Sequence, residues 1–191
     1  MSAAREGAAS SAHGRMNSVL QARADAVNAK LGIRASVVRR RKLPLCPDAD
    51  KLVVVEIGER GRKHRLTPAA ARAWKWMKAA AREDGIRLAI VSAFRSFERQ
   101  VGIIQRKIAE GQSVRQILAF SAPPGYSEHH TGCAVDIGTE GCDELEEIFE
   151  ASAAFAWLRK NASRFGYFMS YPRGNKHGYR YEPWHWMYRQ R

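Results

Sequence analysis

The spacing of apolar residues along the chain predicts several amphipathic helices. One covers residues 16–31 and ends at Gly32, a residue that commonly closes a helix. A second begins at Thr67, whose hydroxyl can cap it, continues through Pro68 in its first turn and ends near Glu83. Three further helices are expected, over residues 97–110, 114–120 and 143–164.

Short apolar runs between turn residues predict strands at residues 51–57, 87–92, 133–137 and 165–171, and the segment 179–189 closes the chain. Helices and strands do not alternate regularly, which favours an α+β fold over a doubly wound one. We therefore expect a single domain with a central antiparallel sheet flanked by helices. Residues 1–15, rich in Ala, Ser and Gly, indicate a disordered arm, so we divide the chain into an N-terminal arm and helix (1–34) and a main domain (35–191).

The chain is strongly basic. Its 191 residues, 45% of them hydrophobic, suffice for one sizeable core, and the formal net charge is +13. Such a charge attracts polyanions, whether nucleic acid, acidic lipid or an anionic cell wall. The densest basic run lies at residues 39–42, but no nucleic-acid-binding motif accompanies it, so we expect no specific nucleic-acid partner.

The cysteines and the hydropathy narrow the class of protein further. Cys46, Cys133 and Cys142 are an odd, sparse set, which describes neither a disulfide framework nor a zinc knuckle. Cys133 is expected to be a small buried hydrophobe. A Cys133–Cys142 disulfide stays open for an oxidising compartment. No apolar run approaches the ~20 residues of a membrane-spanning helix, so no transmembrane segment is expected.

Two short clusters carry the chemistry, one at residues 127–136 and the other at residues 182–185. They offer a metal ion two imidazole nitrogens and one carboxylate oxygen, from His129, Asp136 and His185. These donors suit zinc and leave a fourth position for water. Glu182, beside the last ligand, is a natural acceptor for a proton of that water. The pattern predicts a zinc hydrolase with one zinc ion.

The first cluster needs a change of chain direction to form such a site. In an unbroken strand, residues seven apart face opposite sides, so His129 and Asp136 would not meet. Gly132 permits a turn or bulge between them. His130 is adjacent to His129 and would point away, so we prefer His129 as the ligand.

The second cluster is short enough to form one turn. Glu182 and His185 are three residues apart and would share a face on a helical turn, in which Pro183 suits the first position. This arrangement keeps Glu182 near the ion and free to act as a base. The helical HExxH zinc motif is absent from the chain.

Three blocks of the chain resemble a known family of enzymes. The blocks are S-A-F-R-S at residues 92–96, S-E-H-H-T-G-C-A-V-D at 127–136 and E-P-W-H at 182–185. They resemble, in the same order, the S-G-Y-R-S, S-E-H-Q-T-G-L-A-V-D and E-P-W-H blocks of the VanY-like zinc D-alanyl-D-alanine carboxypeptidases and dipeptidases. The resemblance covers about residues 66–188. The substituted positions include Ala93, His130 and Cys133, and none of these three removes a catalytic group.

The resemblance implies a role for each matching residue. The zinc ligands would be His129, Asp136 and His185. Glu182 would be the catalytic base, and Arg95 would steady the polarised carbonyl and the tetrahedral intermediate. Gln100 and Ser127 would contact the substrate. The implied fold is the one shared by D,D-peptidases and the hedgehog signalling domain, with residues 35–191 as the catalytic domain.

The implied function is removal of a terminal D-alanine from peptidoglycan stem peptides. Three alternatives stay open: an endolysin-type L-alanyl-D-glutamate endopeptidase, a D,D-dipeptidase, and a non-catalytic zinc module. Intact Glu182 and Arg95 argue against the last of these. Because residues 1–14 lack the apolar centre of a secretory signal, we expect a chain that is cytoplasmic as synthesised and acts at the bacterial cell wall or periplasm. An anionic wall polymer is a candidate partner, and the oligomeric state is left open.

Overall fold

The computed structural model describes residues 2–142 and 145–190. Contacts cluster into two compact units, unit 1 (Met1–Pro47 and Phe97–Ser127) and unit 2 (Asp48–Ser96 and Glu128–Arg191). The predicted division between residues 34 and 35 stays a prediction. Within the described part of the chain we find no helix with the length and apolar character that a membrane crossing requires.

The regular elements follow one another in a mixed order. The α-helices are α1 (Ser2–Lys30), α2 (Ala35–Arg41), α3 (Pro68–Glu83), α4 (Phe97–Ala109), α5 (Val114–Phe120) and α6 (Ala153–Asn161). The strands are β1 (Val53–Ile57), β2 (Lys63–Leu66), β3 (Ala89–Ser92), β4 (Ala134–Gly138), β5 (Tyr167–Met169) and β6 (His185–Tyr188). Short 3-10 helices lie at Glu59–Gly61, Glu128–Thr131, Glu147–Ala151 and Ala162–Phe165.

Unit 1 is built from α1, α2, α4 and α5 around two small apolar clusters. One cluster contains Leu31, Ile33, Ile104, Ile117 and Leu118. The other contains Ala24, Phe97 and Tyr126. Helix α1 ends just before Gly32, whose φ of +73° places it in the left-handed region.

Two features of unit 1 differ from the sequence-based expectations. The disordered arm predicted for residues 1–15 is wrong for its described part, because α1 begins at Ser2. This segment is rich in alanine, the residue with the highest helix propensity. Helix α2 was not expected from the sequence, since it has no buried residue to give an apolar pattern. Its basic residues lie in the last turn, where positive charge complements the helix dipole.

Unit 2 contains a four-stranded antiparallel sheet in the order β3-β4-β6-β5 and a separate β1-β2 hairpin. The predicted α+β class with an antiparallel sheet is confirmed. Helix α3 begins as expected, with Pro68 in its first turn and the Thr67 hydroxyl accepting a hydrogen bond from the backbone of Ala70. Its buried Trp74 and Met77 belong to one core with Tyr167 of β5. Each such large apolar side chain contributes about 1.5–3 kcal/mol by its burial.

The long helix predicted over residues 143–164 is wrong. Residues 143 and 144 lie outside the described residues, and the rest divides into two 3-10 helices with α6 between them. The break is at Ser152, whose backbone is extended and whose hydroxyl accepts a hydrogen bond from Phe155 N at 3.1 Å. A serine in this position satisfies a free helix-terminal N–H, so it starts a new helix and does not continue the old one.

Every cysteine of the chain lies within the described residues, and all three are free thiols. Cys133 and Cys142 are half-buried and pack against the core of unit 2. The Cys133–Cys142 disulfide left open by the sequence is not formed in this structure. Cys133, expected to be buried, is only half-buried, and its sulfur lies 3.6 Å from the hydroxyl of Thr67, within hydrogen-bonding distance.

Candidate metal centre

The register of the sheet brings Asp136 and His185 together. Asp136 on β4 is paired directly with His185 on β6. Side chains of directly opposed residues in an antiparallel pair project on the same face. Asp136 Oδ1 consequently lies 2.9 Å from His185 Nδ1. On its other side Asp136 is paired with Ser92 at the end of β3, so the carboxylate lies in the middle of the sheet.

Glu182 reaches the same place through a tight turn. The predicted helical turn over residues 182–185 is wrong in detail, because the segment is a turn that leads into β6. His185 N donates to Glu182 O at 3.1 Å, and Pro183 occupies the second position of the turn, where its fixed φ is favourable. The Glu182 carboxylate Oε2 lies 4.0 Å from His185 Nδ1.

A 3-10 helix and a glycine turn bring His129 to the sheet. His129 lies in the 3-10 helix Glu128–Thr131, which ends at Gly132 with a φ of +63°. Gly132 N donates to His129 O at 3.3 Å, and the chain then enters β4. This reversal places His129 Nε2 3.1 Å from Asp136 Oδ2.

The three side chains form one buried cluster of candidate ligands. One ligand atom from each of His129, Asp136 and His185 lies within 4.8 Å of the others, and all three residues are buried. The two imidazole rings meet edge to face with centroids 5.0 Å apart. The ring of Tyr171 stacks on His185 at 4.8 Å with an interplanar angle of 28°.

The hydrogen bonds of His129 leave its inner nitrogen without a proton. Nδ1 lies 2.7 Å from the backbone oxygen of Ala93, which only accepts, so Nδ1 carries the hydrogen. Burial lowers the pKa of His129 to about 4, outweighing the opposite effect of Asp136, so the ring is neutral at pH 7. The lone pair of Nε2 then faces an oxygen of Asp136. Two facing lone pairs at this distance repel unless a cation lies next to both of them.

His185 lies between two carboxylates. Its Nδ1 faces Asp136, and its Nε2 lies 2.9 Å from Glu128 Oε2. Burial by itself lowers the pKa of His185, but the hydrogen bonds to both carboxylates raise it to about 10. Burial raises the pKa of Asp136, but its interactions with His129 and His185 hold it well below its usual range. The pKa of Glu128 is lowered too, because its bond to His185 outweighs its burial.

The pKa of Glu182 differs from those of Asp136 and Glu128. Burial raises its pKa to about 7, and the attraction of His185 only partly offsets this. A carboxyl group with a pKa near neutrality, next to a ligand cluster but outside it, can both accept and release a proton. The donor set itself fits zinc, which accepts two imidazole nitrogens and a carboxylate oxygen.

Arg95 and His130 also belong to this part of unit 2. Burial has the largest effect on both groups: it lowers the pKa of His129 and raises the pKa of Glu182. The positive charge of Arg95 lowers both pKa values, so its guanidinium acts on these groups. His130 is fully buried and outside the ligand set, and its Nδ1 lies 2.6 Å from the backbone oxygen of Arg95 and 3.6 Å from Asp48 Oδ1.

The two predicted substrate contacts lie in unit 1. Gln100 is buried, and its side-chain amide donates to Ala122 O at 2.7 Å. Ser127 is buried as the last residue of the unit. The substrate-binding role of both residues stays a prediction.

One residue beside the ligand cluster was missed by the sequence reasoning. Glu128 contacts His185 across 57 positions of sequence, a contact that depends on where the 3-10 helix meets β6. Its only signal in the sequence was an acidic residue directly before the first ligand.

A buried His-Asp-His set, with two of its members on an antiparallel sheet and a carboxyl group beside it, is typical of a catalytic zinc site. The VanY D-alanyl-D-alanine carboxypeptidase family matches residues 63–191. The chain belongs to this family.

The chain is also similar to individual proteins. It is 35% identical over 164 residues to the carboxypeptidase-like protein YodJ of Bacillus subtilis (strain 168). The aligned residues cover 82% of this chain and 59% of YodJ. The chain thus spans about three fifths of that relative.

Two solved structures share the fold. The structure of the LdcB LD-carboxypeptidase has a TM-score of 0.66 and 33% identity, covering 74% of this chain and 69% of that one. A Glu-to-Ala variant of the D,D-pentapeptidase VanY in complex with Zn(II) has a TM-score of 0.57 and 29% identity, covering 78% of this chain and 88% of that one.

Proposed function

We propose that this chain is a zinc-dependent carboxypeptidase that removes the terminal D-alanine from peptidoglycan stem peptides. The observation that carries the proposal is the buried His129, Asp136 and His185 cluster, with Glu182 beside it, in a member of the VanY family. Among residues 2–142 and 145–190, this cluster is the one group of three side chains close enough to share a metal ion. We therefore propose one zinc ion per chain.

His129, Asp136 and His185 would hold the ion. Zinc bound there would lower the pKa of a water molecule to about 7 and polarise the scissile carbonyl. Glu182 takes the proton of the attacking water and gives it to the leaving amine nitrogen. Its raised pKa suits both halves of this task, since a much stronger acid would not accept the proton and a much weaker one would not release it.

Arg95 supplies positive charge for the oxygen that becomes negative as the carbonyl is attacked. Its guanidinium is charged at every working pH, and it already acts electrostatically on His129 and Glu182. Gln100 and Ser127 are proposed to hold the peptide. Alanine at either position should therefore raise KM more than it lowers kcat.

The proposal also specifies which peptide bond is cut, the one between two D-alanines. The family description and the zinc-bound VanY structure support cleavage between two D-alanines. A second candidate is an L,D-carboxypeptidase, which removes the D-alanine that follows an L-centre. It is supported by the LdcB structure, with a TM-score of 0.66 and 33% identity. The two candidates share the site and differ in the residue that precedes the scissile bond.

A panel of defined peptides tests the proposal. We would measure D-alanine release from a stem pentapeptide ending in D-Ala-D-Ala, a tetrapeptide ending in a single D-Ala, and free D-Ala-D-Ala. The matched control is Glu182→Gln, which keeps the shape of the side chain. Release from the pentapeptide by wild type, and not by Glu182→Gln, supports the leading proposal. Release by wild type from the tetrapeptide and from neither of the other peptides supports the L,D activity. Release from none of the three by zinc-loaded protein would contradict both.

We also propose an anionic cell-wall polymer as a partner, through unit 1. This unit holds 13 of the 32 Lys and Arg residues and only four of the 19 Asp and Glu residues, so it carries nine of the thirteen net positive charges. Arg39, Arg40 and Lys42 are exposed at the end of α2. The proposed site of action is accordingly the bacterial cell wall or periplasm.

Sedimentation with purified cell walls tests this partner. Binding should weaken with salt and on removal of the phosphate-bearing wall polymers. Glutamine at Arg39, Arg40 and Lys42 should reduce binding severalfold. The matched control changes three exposed basic residues of unit 2 to glutamine, namely Lys63, Arg72 and Lys75. Equal losses from both triple variants would contradict a specific role of unit 1.

A further inference from the structure

We propose that Glu128 is a positioning residue that holds His185 in the orientation and tautomer needed to bind the metal through Nδ1. The inference rests on the proposed zinc site. It concerns a residue outside the ligand cluster, whose effect would be exerted through His185.

The contact itself is short and sheltered. Glu128 Oε2 lies 2.9 Å from His185 Nε2, and the side chains are 14% and 3% exposed. The opposite nitrogen of the same ring, Nδ1, lies 2.9 Å from Asp136 Oδ1. The ring is therefore held at both ends, with Glu128 on the outer side and the ligand cluster on the inner side.

The chemistry of the carboxylate sets the tautomer. An ionised carboxylate only accepts hydrogen bonds, so Nε2 carries a hydrogen when it meets Glu128. A neutral ring with its hydrogen on Nε2 has its lone pair on Nδ1, which faces Asp136 and the other ligands. A carboxylate behind a metal-bound histidine also makes the imidazole a stronger ligand.

The two histidines of the cluster are oriented by different devices. A backbone oxygen, that of Ala93, binds Nδ1 of His129 and leaves Nε2 for the metal. A side-chain carboxylate binds Nε2 of His185 and leaves Nδ1. Tyr171 stacks on the face of His185 and limits tilting of the ring, but it cannot choose between the two nitrogens. Asp136 faces Nδ1 as an acceptor too, but it is itself a candidate ligand, so Glu128 is the acceptor that would keep the hydrogen on Nε2 when a metal takes the place of the one on Nδ1.

Two substitutions separate hydrogen bonding from charge. Glu128→Ala removes the acceptor, so the zinc dissociation constant, corrected for the proton that His185 releases, should rise about 10- to 100-fold. Glu128→Gln removes the charge and keeps a carbonyl oxygen that can accept from Nε2, so it should restore most of the affinity. The control Glu59→Ala removes an exposed carboxylate from another 3-10 helix of unit 2 and should leave zinc affinity unchanged.

Zinc affinity is measured by competition with a chromophoric chelator, and the ligand field by the visible spectrum of the Co(II)-substituted protein. Unfolding of the metal-free variants by urea checks the fold. The Co(II) spectrum should change in Glu128→Ala and not in Glu59→Ala. Wild-type affinity in Glu128→Ala, or equal weakening in the alanine and glutamine variants, would overturn the positioning role.

These readouts do not depend on hydrolysis. A wild-type protein that binds zinc but cleaves no peptide would contradict the proposed function and leave the Glu128 comparison intact. A wild-type protein that does not bind zinc would contradict both.

Discussion

Zinc binding should release a proton from His185, so zinc affinity should rise with pH. This ring is held between Asp136 and Glu128. Burial lowers the pKa of His185, but the two carboxylates raise it to about 10. At neutral pH both ring nitrogens therefore carry protons. A metal bound at Nδ1 must displace one of them, because only the deprotonated nitrogen is a ligand.

The size of the effect follows from the pKa. Between about pH 7 and pH 9 the free protein holds the proton of His185 and the complex does not, so this proton alone should raise the zinc association constant about tenfold per pH unit, or about 1.4 kcal/mol. A zinc-bound water with a pKa of about 7 would add up to one further proton to this slope. The contribution of His185 should end near pH 10, where the ring loses the proton by itself. Below about pH 7 Glu182 is also protonated in the metal-free protein. A nearby cation favours its carboxylate, so the slope should steepen there toward two protons.

Titration calorimetry in buffers of different ionisation enthalpy counts the protons released, and chelator competition gives the affinity at each pH. Besides up to one proton from the zinc-bound water, we expect about one proton released from His185 at pH 8. Glu182→Gln should keep this proton and lose the additional slope below pH 7. An affinity that is flat from pH 7 to pH 9, with no proton released, would refute the reasoning, since His185 would then be neutral before the metal binds.

The remaining predictions concern Glu182, His185 and Gly132. Glu182→Ala should retain zinc and lose at least about 100-fold in turnover, and retained activity in a metal-loaded sample would contradict its role as base. His185→Ala should lose both zinc and turnover, as measured by metal content and peptide cleavage, and full zinc occupancy would contradict its role as ligand. Gly132→Ala should cost about 1–3 kcal/mol in urea unfolding, because φ is +63° and a Cβ would lie 2.8 Å from Leu52 Cδ2. The control Gly141→Ala has φ +78° and open space around its Cβ, so a cost as large as that of Gly132→Ala would contradict the steric part of this reasoning.

Elements with strong local signals could be predicted closely from the sequence. Helix α3 begins after Thr67, with Pro68 in its first turn, because capping and proline geometry act over neighbouring residues. The prediction of one helix over residues 143–164 was wrong because capping acts locally there too. Apolar spacing continued across Ser152, but the local capping bond of that serine ended one element and began another.

The residues of the site were easier to predict than their geometry. Glu182 and His185 were placed together on a helical turn, whereas the structure has a tight turn leading into β6. Both arrangements bring the two side chains close, so the expected proximity did not depend on the type of turn. The contact of Glu128 with His185 had no such local origin. It depends on the register of β4 and β6, which is set by the packing of the whole sheet.

Mass spectrometry of purified muropeptides, incubated with zinc-loaded wild type and with Glu182→Ala, tests the central claim most directly. The account predicts that pentapeptide stems lose one terminal alanine with wild type and stay intact with the variant. Larger stem-peptide fragments would instead identify an endopeptidase. Intact muropeptides after incubation with fully zinc-loaded wild type would contradict the assignment of this chain as a peptidoglycan carboxypeptidase.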